Sequence, residues 1–227
     1  MPTWGAFRTQ IRRSILADVS EKRARWSDEI LMDCVNWAMD EFCAHTAVAT
    51  AVQYAASGVG PYPVPENIYE KLEHAGMVYL TSEGASPTDY EYLNPIRYTE
   101  GLDLTADRGF YEWPEGSLYL AKAPSESGIV GIRYYAYYNT IVTDEDEMPV
   151  PRWALPAIGY LTAAYALSGD AIKSANIRQW AESPEKGTPE DNSLRRQQEW
   201  MLELYHRELS KFPRQDRENS FRIYGYG

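Results

Sequence analysis

The chain has 227 residues but only two cysteines and three histidines, and that scarcity removes much catalytic chemistry at the outset. Cys34 and Cys43 are nine positions apart on one predicted helix. Nine steps of about 100° put them on roughly opposite faces, so they cannot bridge each other. Two such thiols read as small buried hydrophobes in a reducing compartment. His45, His74 and His206 form no HExxH spacing. There is also no CxxC pair, no glycine-rich phosphate loop and no GxSxG elbow. Paired carboxylates such as Asp40 with Glu41, or Glu199 with Glu203, fall on helix surfaces as ordinary solvated charges. Only two carboxylates far apart in sequence, as in a glycosidase, would leave no spacing to read. The chain is expected to have no catalytic residues, no cofactor and no metal.

Long apolar runs are missing too. Ile158 to Leu167 is the nearest approach to the ~20 residues that cross a bilayer, so no membrane partner is expected. Met1-Pro-Thr-Trp-Gly5 lacks a basic segment followed by a hydrophobic core, so no secretory signal is read and synthesis in the cytoplasm is expected. Basic charge is in short supply: 22 Lys and Arg against 33 Asp and Glu leave a net −11. Such a surface repels nucleic acid and anionic lipid, which argues against sequence-reading of DNA. It suits a channel wall past which DNA slides, and it suits a solvated enzyme equally well. The remaining composition, 44% hydrophobic and 24% charged, is that of a globular protein able to bury roughly 70% of its unfolded surface.

Helical texture opens the chain. Phe7, Ile11 and Ile15 recur at i, i+4 and i+8 and predict a helix from Trp4 to Ala17, with Arg8, Arg12 and Arg13 on its other flank. A second helix is predicted from Asp28 to His45. Ser27 is its N-cap, Asp28 and Glu29 face the positive end of its dipole, and Trp26 with Leu31 occupy staple positions. Its apolar face is Ile30, Leu31, Cys34, Val35, Ala38 and Phe42.

From residue 46 to 142 the helical period disappears and Tyr, Val, Thr, Gly and Pro predominate. Strands are predicted at Ala47 to Tyr54, Met77 to Leu80, Phe110 to Trp113, Ser117 to Ala121 and Ile129 to Ile141. Gly58 to Pro65, with its prolines and glycines, reads as a loop, Glu66 to His74 as a short helix, and Ser82 to Thr88 as turns. The last strand carries Val130, Ile132, Tyr134, Ala136 and Tyr138 on one side and Ile129, Tyr135, Tyr137 and Ile141 on the other. A strand apolar on both faces is buried twice over or meets a partner. Asp144-Glu-Asp-Glu147 lacks the alternating ligands and glycine of a calcium loop and reads as a solvated linker.

Helices return at Arg152. Pro156 fits a first turn, and Ala157, Ile158, Leu161, Ala164, Tyr165 and Leu167 form a packing face that Ala171 to Ala181 extends. Thr188-Pro189-Glu190-Asp191 is a capping box for a last helix that stops at Pro213. The plan is therefore α+β. A helical bundle is built from N- and C-terminal helices, with an inserted antiparallel β-rich lobe and an extended C-terminal arm. The boundaries are 1–46 for the first hairpin, 47–148 for the insertion, 149–212 for the second hairpin and 213–227 for the arm. Phe221, Ile223, Tyr224 and Tyr226 make that arm too apolar to be solubilising filler. It either docks on the chain's own core or orders on a neighbour, adding a strand to a sheet edge there. The eighteen tyrosines, with Trp113, suit interfaces and sheet packing, and also a sugar-stacking platform.

Leu16-Ala-Asp18, Trp26-Ser-Asp-Glu29, Tyr62-Pro-Val-Pro65, Tyr134 to Tyr138 and Pro151-Arg-Trp153 together resemble the head–tail connector (adaptor) proteins of tailed bacteriophages. The resemblance covers most of the chain in loose helical signatures. It implies a structural protein of the virion neck, made in the host cytoplasm, that forms a ring below the portal after DNA packaging, a dodecamer in that family. Its C-terminal segments insert into portal clefts, and passing genome DNA is not read. On that reading Phe221, Arg222, Ile223, Tyr224 and Tyr226 contact the portal protein. Trp113, Tyr135 and Tyr137 face a neighbouring subunit or a tail or nozzle protein. Another virion ring or tail-completion protein, or a carbohydrate-binding protein, is the alternative.

Overall fold

The computed structural model describes residues 1–18, 24–56, 58–69, 76–96, 109–113, 116–124, 128–174 and 193–212. They divide into two compact units, one of Met1–Thr46 with the described chain from Tyr138 onward, the other Ala47–Tyr137.

The first unit holds four described helices, α1 (Trp4–Ser14), α2 (Asp28–Phe42), α3 (Leu155–Ser174) and α4 (Ser193–Leu209). α3 is its centre. Ala157, Ile158, Leu161, Ala163, Ala164, Ala166 and Leu167 are all buried, and so is Thr162, whose hydroxyl donates back to the Ile158 carbonyl at 2.7 Å. Gly159 lets α1 approach closely, since a Cβ there would stand 3.0 Å from Ile15 Cδ1 and 3.5 Å from Phe7 Cζ. α1 ends at Ser14, three residues before the predicted end. Asp18 N–H returns to the Arg12 carbonyl at 2.8 Å across Ala17, which takes the left-handed conformation at φ 51°. A helix closed in this way normally has glycine at that position.

α2 starts as predicted, with Ser27 Oγ accepting from Ile30 N–H at 3.2 Å. It stops at Phe42 rather than His45. α3 follows a 3-10 turn at Arg152–Ala154, and Pro156 occupies its first turn. The predicted extension to Ala181 beyond Ser174 and the Thr188–Asp191 capping box lie outside the described residues.

The second unit overturns the expected inserted antiparallel lobe. It is a seven-stranded mixed sheet curled nearly into a barrel, so the chain is not a helical bundle with a small insertion. Its strands are β1 (Val48–Ala55), β2 (Tyr62–Pro63), β3 (Gly76–Thr81), β4 (Glu91–Pro95), β5 (Gly109–Trp113), β6 (Ser117–Leu120) and β7 (Ile129–Ala136), in the order β1-β7-β3-β4-β5-β6-β2. All neighbours are antiparallel except β4 and β5, which pair in parallel at Asn94 with Gly109 and Pro95 with Phe110. A parallel step needs a crossover of a dozen or so residues, and the chain between the two strands supplies it.

β7 is the central strand. It pairs with β1 from Val48–Ala136 to Ala55–Ile129, and with β3 from Gly76–Tyr134 to Thr81–Ile129. Val130, Ile132, Tyr134 and Ala136 project to one side and pack with Val78, Leu93, Phe110, Leu118, Leu120 and Tyr62, which is the unit's core. The strand ends at Ala136, short of the predicted Ile141.

Two further expectations fail within the sheet. Tyr62–Pro63 pairs with Leu118 and Ser117 although its prolines predicted a loop. β2 is an edge strand, where a missing N–H costs no ladder bond. Glu66 and Asn67 form a turn and Ile68 bridges Ala136, so the described part of the predicted 66–74 helix is not helical.

Candidate functional site: interaction surfaces

Residues 213–227, and with them the arm residues Phe221, Arg222, Ile223, Tyr224 and Tyr226, lie outside the described residues. The other three predicted interface residues belong to the sheet unit and are not equivalent. Tyr135 sits opposite Ala49 in β7 and is 1% exposed, so its ring is spent on the chain's own packing. Tyr137 is 36% exposed, with its ring 5.0 Å from that of Tyr69 and its N–H donated to the Asn67 carbonyl at 2.8 Å. Trp113 ends β5 opposite Ser117, and its side chain lies outside the described set.

The sheet's outer face carries an aromatic cluster that composition alone did not locate. Tyr79 lies across Gly131, which stands beside it in β7, and its hydroxyl accepts from Gln53 Nε2 at 3.1 Å on the far side. Tyr90 stacks on Tyr79 at 4.4 Å with the planes 2° apart. The Arg133 guanidinium sits 5.7 Å from the Tyr79 ring centre and 5.5 Å from that of Tyr90. Tyr92 meets both rings edge-on. Gly131 was the available signal, because a glycine inside a strand marks a close approach by another group.

In the helical unit, Ile30 and Trp37 lie two turns apart on α2 and are 40% and 58% exposed, and Trp200 on α4 is 56% exposed. The helical period places Ile30 on the packed face, but the structure leaves it exposed. Trp37 falls off that face by period, which is the signal that flags it. Its ring meets Tyr165 of α3 edge-on at 6.2 Å, and the Tyr165 hydroxyl donates to the Glu41 carboxylate one turn along α2. Burial, then Glu41, pushes the phenols of Tyr165 and Tyr205 above their ordinary range. Burial likewise raises the Cys34 thiol to about 11, with Asp33 adding to it, so this sulfur stays protonated and unreactive near neutrality. The cluster is aromatic and neutral apart from Glu41, which suits contact with another surface better than proton transfer.

The acidic segment 144–147 is solvated at Asp144, Glu145 and Glu147, as expected, and it is also tied to α1. Asp146 and Asp144 offer their backbone carbonyls to Trp4 N–H at 2.8 Å and Gly5 N–H at 3.0 Å, satisfying donors that the start of α1 leaves open. The Asp144 carboxylate takes both ends of the Arg8 guanidinium, at 2.8 and 2.7 Å. Just upstream, Asn36 of α2 clasps Ile141, donating to its carbonyl at 3.0 Å and accepting its N–H at 2.8 Å. The Asp146 carboxylate accepts the N–H groups of Thr143 and Val142 and the Thr143 hydroxyl, which hold it below the usual carboxylate range.

A carboxyl whose folded value is depressed adds stability above its unfolded value near 3.9, and that stability is lost as pH falls through the lower folded value. Asp146→Asn is therefore expected to lower stability at pH 7, with the difference from wild type shrinking as pH falls below 4. Chemical shifts of the Val142 and Thr143 amides during a pH titration report it. Amides that do not follow the Asp146 titration would refute the assignment.

The two described histidines form no metal-holding cluster with Cys, Asp or Glu side chains. His45 packs against Phe42 and Trp153, and His206 lies exposed on α4 beside Tyr205. His74 lies outside the described residues. Among the described residues no group of His, Cys, Asp and Glu is placed to hold a metal ion, and no helix is long and apolar enough to cross a membrane. No protein-family model and no curated protein matches the chain.

Proposed function

We propose that this chain is a structural connector of the tailed-phage neck, joining a portal ring to tail components. The observation that carries the reading is where the signature residues fall. In Leu16-Ala-Asp18, Asp18 holds Arg12 at 2.6 Å across the turn that ends α1. In Trp26-Ser-Asp-Glu29, the Trp26 carbonyl and the Asp28 carboxylate receive the other end of Arg12 at 2.6 and 2.7 Å. Trp26 Nε1 donates to the Ala166 carbonyl of α3 at 3.0 Å. In Pro151-Arg-Trp153, the indole packs on Phe42 of α2 and on Phe212 just past α4. Three of the five stretches that resemble the family supply contacts that fasten helices to one another, and this supports the reading.

A connector needs rigid helices with apolar residues left for lateral neighbours, and Ile30, Trp37 and Trp200 supply those. Net charge −11 keeps passing DNA from adhering. Residues 221–226 are proposed as the portal-contacting arm.

Light scattering on the purified chain, alone and mixed with the portal protein encoded nearby, tests the reading. A ring-sized complex is expected with the portal. Deleting residues 214–227 is expected to leave a folded chain that no longer joins portal rings. A truncated chain that still binds would refute the arm, and a full chain indifferent to the portal would refute the connector.

A further inference from the structure

We propose that the outer edge of β1 is a docking edge for the β1 of a second copy, paired antiparallel about a two-fold axis at Val52. The proposal rests on the sheet unit alone and is independent of the connector reading.

The parity of the ladder identifies the groups involved. Ala56 N–H donates to the Gly128 carbonyl at 2.8 Å in continuation of the β1–β7 register. On the opposite side of β7, Tyr135 and Tyr137 are the residues that bond Tyr69 and Asn67. Both observations make Val48, Thr50, Val52 and Tyr54 the residues bonded to β7. Ala49, Ala51, Gln53 and Ala55 therefore direct their N–H and C=O groups away from it. β1 ends the strand order, and these eight groups meet no partner among the described residues.

Exposed edges are ordinarily blunted by charge, proline, a bulge or brevity. β1 has none of these. It is eight residues long, in unbroken register, with the sequence VATAVQYA. Three of the four residues with outward backbone groups are alanine, so the strand's own side chains give that backbone little cover.

The occupant follows from self-complementarity. Antiparallel pairing of outward residues places Ala49 opposite Ala55 and Ala51 opposite Gln53 of the second copy. Thr50 then faces Tyr54, and Val52 faces Val52, in the intervening pairs whose side chains approach most closely. Those inward residues are what the edge leaves incompletely covered: Val52 and Tyr54 are only partly buried against the core, whereas Val78, Val130 and Ile132 are fully so. Two copies at −11 each repel generally, but this strand carries no charge on either face.

Sedimentation equilibrium of the full chain is expected to show mass rising from 25.9 kDa toward twice that value with concentration. Ala51→Pro removes an outward N–H and no bond to β7, so it is expected to hold the chain at the lower mass. Val52→Cys provides a test that needs no loss of folding. Across a two-fold pair with Cα atoms about 4.5 Å apart, oxidation by copper phenanthroline should give a disulfide-linked dimer. Ala51→Cys, which faces Gln53 rather than itself, should give several-fold less. The native Cys34 and Cys43 are buried. A wild-type chain monomeric at millimolar concentration, or equal cross-linking at both positions, would overturn the proposal. Portal binding is not part of the readout, so either result leaves the connector reading where it stands.

Discussion

Gly131→Val is expected to cost the chain about 3 kcal/mol of stability, a large fraction of the usual 5–15 kcal/mol. A Cβ at this position would stand 2.0 Å from Tyr79 Cζ and 2.4 Å from its Cε2 and Oη. A clash with the end of a side chain is often relieved by moving that side chain, but Tyr79 cannot move cheaply. Its ring is 1% exposed, covered by Tyr90 at 4.4 Å and tied through its hydroxyl to Gln53. Lifting it breaks a stack, a hydrogen bond and the contact with Arg133 together. The backbone cannot yield instead, because β7 is bonded on both sides.

Gly131→Ala should already cost about 2 kcal/mol by the same argument. The cause is separable by a double-mutant cycle in urea. Tyr79→Ala removes the obstacle at its own cost of about 3 kcal/mol or more. In that background the further change Gly131→Ala should be close to neutral, giving a coupling of about 2 kcal/mol. Additive costs, or a Gly131→Ala midpoint within error of wild type, would show that the ring does not enforce the glycine.

Gly131 also shows what was and was not readable beforehand. The strand around it was legible from its β-branched and aromatic run, and the interior glycine pointed to a close approach, but nothing in the letters named Tyr79, fifty-two positions upstream. α2 was legible to the residue at its start, because the Ser27 cap acts locally, on the Ile30 N–H. Its end was not, since the chain after Phe42 turns away without a glycine or proline to mark the stop. β4 left no signal either, as Glu91 to Pro95 has little apolar alternation and exists by virtue of its pairing with β3.

Prolines misled at Tyr62–Pro63 because the rule against them holds for central strands and this strand is an edge. The acidic run 144–147 is solvated, as its charge predicts, but its attachment to α1 was not readable, because two of the contacts use its backbone carbonyls, which composition does not display. Of the candidate interface residues, Tyr135 is buried within the chain, which an apolar run on both sides of a strand does not distinguish from a face left for a partner. Trp37 was readable as an aromatic off the packed stripe of α2, and it is exposed in the structure.

The second large effect is expected at Phe42. Its ring is fully buried and lies 5.9 Å from Tyr138, 5.7 Å from Trp153 and 6.0 Å from His45. Trp153 in turn packs on Phe212 at 4.3 Å. One side chain thus joins the end of α2, the chain entering the helical unit at Tyr138 and the turn that opens α3, and through Trp153 it reaches the end of α4. Phe42→Ala leaves a cavity among large rings that cannot collapse without moving a helix end, and should cost about 3–5 kcal/mol.

Phe42→Leu keeps most of the buried area and loses chiefly the ring geometry, so about 1–1.5 kcal/mol is expected. Trp153 lies in this nest, so its fluorescence should follow the unfolding it reports. Urea midpoints by fluorescence and by circular dichroism should shift together for both variants. A Phe42→Ala chain within 1 kcal/mol of wild type would mean that Tyr138 and Trp153 close over the gap. The four helices would then be held mainly by α3 and the Arg12 clasp, and the stability lost on cutting that clasp with Arg12→Ala would exceed that of Phe42→Ala.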